Sequence, residues 1–178
     1  MWIFIVVGIV FIIFLYVVIK YNKLNKASIK VEEAFSGIDV ALTKRYDVLT
    51  KMVEVVKGYT KYENETLTKV ISIRSGMSLE EKEEANKSMD ESFNKINLTK
   101  ENYPNLKADN NFQMLEKAVI DVEEHLQAAR RLYNSNVSLY NQLLVVFPTN
   151  LIAKFFKMSK KDFFEADKTT ENYNIEVK

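Results

Sequence analysis

An all-α fold with an apolar N-terminal span is predicted by three features of this sequence. The first is a long uncharged hydrophobic run, and the second is apolar positions that recur every three or four residues through most of the remaining chain. The third is the scarcity of turn formers: four glycines and two prolines in 178 residues suit long helices better than a turn-rich β protein. That length gives room for one domain with a core large enough to fold unaided. Lys+Arg 25 against Asp+Glu 24 leaves a net charge of +1, so no global charge points to nucleic acid. The lack of cysteine excludes disulfides, thiolate metal sites, thiol catalysis and a cysteine-linked lipid anchor.

The run Trp2 to Ile19, WIFIVVGIVFIIFLYVVI, is 18 residues without a charge. A helix of that length rises about 27 Å, close to the hydrocarbon thickness of a bilayer. Trp2 at one end, with Tyr16 and Tyr21 near the other, suits the two interfaces. A cleaved signal peptide would need a basic region before the run and small residues at a cleavage site. Neither is present, so an uncleaved anchor over residues 1–20 is expected. Lys20, Lys23, Lys26 and Lys30 follow the span with no acid among them, which places the N-terminus outside and the rest in the cytoplasm.

After the anchor, Val31, Ala34/Phe35, Ile38, Leu42, Leu49, Met52/Val53, Val56, Tyr59, Leu67 and Val70/Ile71 recur at helical spacing. This permits one kinked helix as far as Arg74 or a hairpin near Tyr46-Asp47-Val48. Gly76 marks a helix C-terminus, and Ser78 with Glu81 three residues on forms a capping box. The next helix, about 79–97, is weakly apolar (Leu79, Ala85, Met89, Phe93, Ile96), with Glu80, Glu81, Glu83 and Glu84 where the helix dipole favours negative charge. Pro104 and the surrounding Asn and Asp make Leu98 to Asp109 a loop. A last long helix opens at Asp109 or Asn110, with Gln113 as a reciprocal cap partner of Asn110. Its stripe, Phe112, Leu115, Val119, Val122, Leu126, Ala129, Tyr133, Val137, Tyr140, Leu144 and Phe147, steps by about 3.5 residues, the period of a coiled-coil-like seam. Pro148 ends it.

In the tail, Leu151, Ile152, Phe155, Phe156 and Met158 alternate with Lys154, Lys157, Lys160 and Lys161. Two readings stand. One is an amphipathic helix lying on anionic headgroups, the other a short helix capping the bundle with snorkelling lysines.

Enzyme chemistry finds no foothold. The one histidine, His125, has Val122 three residues before it, where a di-iron bundle would need glutamate, so it reads as a surface or boundary residue. Neither a Gly-rich phosphate loop nor a nucleophile elbow is visible. No catalytic, cofactor-binding or metal-binding residue is assigned, and no cofactor. Asp39, Arg45, Glu54, Glu63, Glu123, Arg130 and Arg131 intrude on or beside the apolar stripes. They read as interhelical ion pairs that fix register, ahead of a charged groove for a peptide or headgroup. Tyr133-Asn134 recurs two turns later as Tyr140-Asn141, which makes a semi-polar seam whose hydroxyls and amides need partners within the bundle.

Several segments together resemble the LemA family of bacterial membrane proteins: Tyr21 to Leu67, Tyr103 to Phe156, and Phe163-Phe164-Glu165-Ala166. Ser36-Gly37-Ile38-Asp39-Val40, Lys44-Arg45-Tyr46-Asp47, Val56-Lys57-Gly58-Tyr59 and Ala129-Arg130-Arg131 carry it jointly. The resemblance implies a single anchor followed by an antiparallel up-and-down four-helix bundle over 21–147. Its helices would cover about 21–45, 48–75, 79–97 and 110–147, with 148–178 as a basic-aromatic segment. Family members often carry proline where Thr50 stands, which implies a helix break between about Arg45 and Leu49. Tryptophan is usual where Phe35 stands, and asparagine where Glu124 stands. The family supplies no reaction. Relatives in magnetosome membranes and genes lying near those of membrane proteases imply work at membranes. The expected protein is a non-enzymatic, membrane-anchored helical scaffold with protein partners, a membrane protease or itself among them. The rivals are a lipid-organising or membrane-shaping protein and a protease adaptor.

Overall fold

The fold is known from a computed structural model, which describes residues 1–59 and 76–165. It is all-α: α1 (Trp2–Tyr59), α2 (Leu79–Asn102), α3 (Pro104–Lys107), α4 (Asn110–Val145) and α5 (Thr149–Phe155) follow in order, with no strand among the described residues.

The break expected between Arg45 and Leu49 does not exist, because α1 runs unbroken through it. The physical reason is a seam that never lapses. Ile38, Leu42, Arg45, Leu49, Met52 and Val56 are all buried, at steps of four and three, and Arg45 fills the position that seemed empty between Leu42 and Leu49. Thr50 keeps its backbone N–H where a proline would lose it, and its hydroxyl donates to the Tyr46 carbonyl at 2.9 Å. Helices expected at 21–45 and 48–75 are therefore one helix as far as Tyr59. Residues 60–75, including Glu63, Leu67, Val70 and Ile71, lie outside the described residues.

Gly76 adopts φ +86°, a left-handed conformation that glycine takes without penalty. Ser78 then caps α2 as expected: its hydroxyl accepts from Glu81 N at 3.2 Å, and its own N–H donates to the Glu81 carboxylate at 2.6 Å. α2 continues five residues past its expected end at 97, and the expected loop of residues 98–109 is mostly helical. Pro104 does not forbid this, since it stands in the first turn of α3, where its missing N–H costs nothing. The cap of α4 is Asp109 rather than Asn110. Asp109 Oδ1 accepts from Phe112 N at 2.9 Å, while Gln113 turns away to donate to the Lys107 carbonyl.

Compact packing divides the chain into two units. One comprises Gly37–Arg130 with Phe164–Lys178, described as far as Glu165. In it, Asp39 meets Lys82, and Arg45 meets Asn86 and Asp90, so α1 and α2 run parallel. Arg45 also meets Glu123, and Tyr59 meets Asp109, so α4 runs antiparallel to α1. α4 is thus antiparallel to both α1 and α2, whereas residues 48–59, expected in a second helix antiparallel to the first, continue α1 in the same direction. The core is Ile38, Leu42, Leu49, Met52 and Val56 of α1 against Ala85, Met89, Phe93 and Ile96 of α2, with Phe112, Val122 and Leu126 of α4. Each large apolar side chain so buried contributes about 1.5–3 kcal/mol.

The other unit comprises Met1–Ser36 and Arg131–Phe163. Its α4 segment runs antiparallel to α1, with Phe35 against Tyr133 at 5.6 Å between centroids and Asn136 donating to the Lys30 carbonyl. Leu24, Val31, Ala34, Val137, Tyr140, Leu144 and Ile152 are its core. The seam predicted for α4 holds up to Leu144. Phe147 departs from it and is 75% exposed, because α4 ends at Val145.

Candidate functional site

Three groupings of side chains bear on function, each lying within a single unit. The first surrounds Arg45, whose guanidinium is 3% exposed. Its Nε donates to Glu123 at 2.5 Å, Nη1 donates to the side-chain oxygen and the carbonyl of Asn86, and Nη2 pairs with Asp90. The face of the guanidinium lies 5.2 Å from the Phe93 ring centroid. A planar fork with this many donors can bridge three helices at once, which a lysine could not do. Beside it, the Lys82 ammonium, 1% exposed, meets Asp39 at 2.6 Å. Both cations are buried, and both find acids that remain about one-third exposed. Such a cluster fixes the register of α1 against α2 and α4.

The predicted polar network is therefore brought together only in part. Asp39, Arg45 and Glu123 belong to it, while Lys82, Asn86 and Asp90 were missed. Glu54 stands exposed on α1, away from the cluster, and Glu63 lies outside the described residues. Arg130 stacks on the Phe164 ring at 4.8 Å, Arg131 is exposed, and Glu124 faces solvent. His125 is exposed as well, its Nδ1 2.8 Å from the Asp121 carbonyl oxygen.

The second grouping answers the Tyr-Asn repeat. Tyr133 and Asn141 both find hydrogen-bond partners in the segment after α5. Tyr133 donates to the Asp162 carbonyl at 2.9 Å. Asn141 makes a two-way pair with the Lys161 backbone, accepting from its N–H at 3.0 Å and donating to its carbonyl at 2.8 Å. The Lys161 ammonium lies 5.5 Å from the Tyr140 ring centroid and pairs with Glu32 at 3.0 Å. Hydrogen bonding and attraction from Lys161 hold the Glu32 carboxyl below its ordinary value, while burial and then the Glu32 charge raise the Tyr140 hydroxyl. Residues 161–162 are thus strapped across the seam by backbone bonds that sequence periodicity does not encode. Replacing Asn141 with leucine keeps the volume but removes both bonds. It is expected to raise hydrogen exchange across residues 158–163 by about tenfold, as roughly 1–2 kcal/mol of local stability is lost. Because a lowered carboxyl stabilises above its unfolded value and ceases to do so as pH falls through its folded one, the same strap should also loosen on acidification below the ordinary glutamate range.

The third grouping is the apolar and basic region around the anchor. The span from Trp2 to Ile19 is exposed along its length, and the Lys20 ammonium sits over the Tyr16 ring at 5.2 Å. Among the described residues, α1 is the one helix long and apolar enough to cross a membrane. Tyr21, two residues beyond the span, packs on Phe156 with centroids 4.3 Å apart, which sets the end of α5 beside the turn of α1 that follows the span. Among the described residues, the tail is helical over α5 alone. α5 stops at Phe155 because Lys157 turns left-handed (φ 53°) and closes the end: Met158 N donates to the Ala153 carbonyl and Lys157 N to the Lys154 carbonyl. Ile152 and Ala153 pack inward, while Leu151 and Phe155 are exposed, Phe155 at 80%. Lys154, Lys157 and Lys160 point to solvent, as does Lys23 on α1, whereas Lys161 is committed to the strap. Of the residues expected at the headgroups, Lys154, Phe155, Phe156, Lys157 and Lys160 are exposed, and Lys161 pairs with Glu32.

A family model described as LemA family matches residues 34–178. Protein LemA of Metamycoplasma hominis is 29% identical over 152 residues, covering 83% of this chain and 69% of the relative.

Proposed function

This chain belongs to the LemA family, and on that premise we propose that it is a membrane-anchored, non-enzymatic helical scaffold that offers its bundle to protein partners at the inner face of a bacterial cell membrane. The observation that carries this reading is α1 itself. It is a single helix whose first turns are apolar on every side and whose later turns supply the bundle core, so anchor and bundle share one backbone. The composition of the buried polar cluster supports it as well. Arg45 and Lys82 are engaged by acids and an amide of neighbouring helices, which leaves the exposed helix faces as the working surface. Lysines that follow the span, with no acid among them, support a cytoplasmic bundle. A membrane protease is one candidate partner, and a second copy of the chain is another.

A second reading, a lipid-organising protein, is favoured by a specific observation. Phe147, Leu151 and Phe155 are exposed in the unit that carries the anchor, and Phe156 touches Tyr21 just beyond the span. Chemical crosslinking in living cells, followed by identification of the adducts, separates the two readings. Recovery of a reproducible heterologous protein supports the scaffold. Recovery of lipid alone counts against it, and tubulation of vesicles by purified protein favours the second reading.

A further inference from the structure

Beyond Ile19 the next turns of α1 lay Lys23, Lys26 and Lys30 along one face, at steps of three and four. In the same unit α4 returns alongside and presents Leu139, Leu143 and Val146, at steps of four and three. Between the two rows lies a groove of about 430 Å³. Its residues include three cations and no acid, and its wall on α4 is mainly apolar. At one end Asn136 donates to the Lys30 carbonyl at 3.0 Å and holds the helices together; at the other, Lys23 and Val146 face the anchor.

Position decides what could fill it. Lys23 lies about 6 Å along the helix from the end of the span, and Lys26 about 10 Å. The headgroup layer on each side of the hydrocarbon is about 5–8 Å deep, so these ammonium groups reach phosphate depth, and Lys30 can extend its stem back toward it. A soluble anion would satisfy the lysines and leave the apolar row bare. A neutral lipid would cover the apolar row and leave three clustered positive charges. An anionic phospholipid matches both rows, with phosphate against the lysines and the upper acyl methylenes against Leu143 and Val146. We propose that the groove between Lys23, Lys26 and Lys30 of α1 and Leu139, Leu143 and Val146 of α4 holds one anionic phospholipid of the surrounding leaflet. Each lysine near an anionic surface favours binding by roughly fivefold, so the row as a whole discriminates strongly against neutral lipid.

This inference rests on the second reading above, in which the anchor-bearing unit meets the headgroup layer. That reading has its own test. The chain has no cysteine, so an environment-sensitive dye on Phe155→Cys reports whether α5 enters the bilayer. For the groove, full-length protein in nanodiscs of phosphatidylcholine with a minor share of phosphatidylglycerol is examined by native mass spectrometry. One phosphatidylglycerol should stay bound, and Lys23→Gln/Lys26→Gln/Lys30→Gln should reduce its retention by roughly tenfold or more. Lys154→Gln/Lys157→Gln/Lys160→Gln removes the same charge from exposed tail lysines and should leave retention within about twofold. Leu143→Trp, which fills the groove and keeps every lysine, should lower retention too, and an unchanged helical circular dichroism spectrum would show that it remains folded. Equal losses from both lysine variants would overturn the proposal in favour of a diffuse basic surface. Retention indifferent to Leu143→Trp would overturn it as well, and so would crosslinks from the groove to a protein in place of lipid. A dye at Phe155 that reports bilayer entry, with no phosphatidylglycerol retained, removes the groove and leaves the reading beneath it standing.

Discussion

Replacing Arg45 with alanine is expected to destabilise the protein by about 2–4 kcal/mol, because buried Asn86 loses its partner and a cavity opens in the seam beside Phe93. For a chain of this size that lowers the melting temperature by roughly 10 °C, measurable by circular dichroism in detergent or nanodiscs. The loss is large because one side chain closes contacts to Glu123, Asn86 and Asp90 and also lies against Phe93. Lysine at this position keeps the charge but not the fork, and should recover less than half of the loss. Methionine should be milder than alanine, because it refills the seam between Leu42 and Leu49 while Glu123 and Asp90, about one-third exposed, can rehydrate. An Arg45→Ala protein that loses less than about 1 kcal/mol would reduce the cluster to ornament.

A proline at Thr50 has an effect of similar size. In an unbroken helix it removes the hydrogen bond to the Tyr46 carbonyl and clashes with that turn, costing about 3 kcal/mol. At the start of a second helix it would be neutral or stabilising, so the sign of the effect tells the two architectures apart. Spin labels at Val40 and Lys57, both exposed, give an independent reading of the wild-type chain. Along a continuous helix they stand about 26 Å apart. A hairpin at 45–49 would bring them to near 10 Å, the spacing of packed helices. A single long distance together with a destabilising Thr50→Pro is the expected pair of results.

Arg45 also shows what could and could not be read in the sequence. The apolar span, the Ser78–Glu81 cap and the α4 seam were legible because each rests on a local pattern: an uncharged run, a three-residue spacing and a repeat near 3.5. The unbroken course of α1 was not, since a hydrophobic count sees a gap where a charged residue holds a core position. Extending the step of three from Leu42 and four from Arg45 would have revealed it. The same blindness hid Lys82 and Asn86, which continue the phase of Ala85, Met89 and Ile96 with polar side chains. Tyr133 and Asn141 were recognisable as groups in need of partners. Their partners, the backbone of Lys161 and Asp162, were beyond sequence reasoning, because a carbonyl on a distant strap leaves no residue-type signature.

Labelling with a membrane-impermeant thiol reagent tests most directly whether one apolar span holds this bundle against the inner face of the membrane. The native chain contributes no background, having no cysteine. A single Lys117→Cys places a thiol on an exposed position of α4. It should stay unlabelled in intact cells, become labelled once the membrane is permeabilised, and remain in the membrane fraction throughout. Full labelling in intact cells would put the bundle outside, and recovery of the protein in the soluble fraction would remove the anchor; either result contradicts the proposed function at its base.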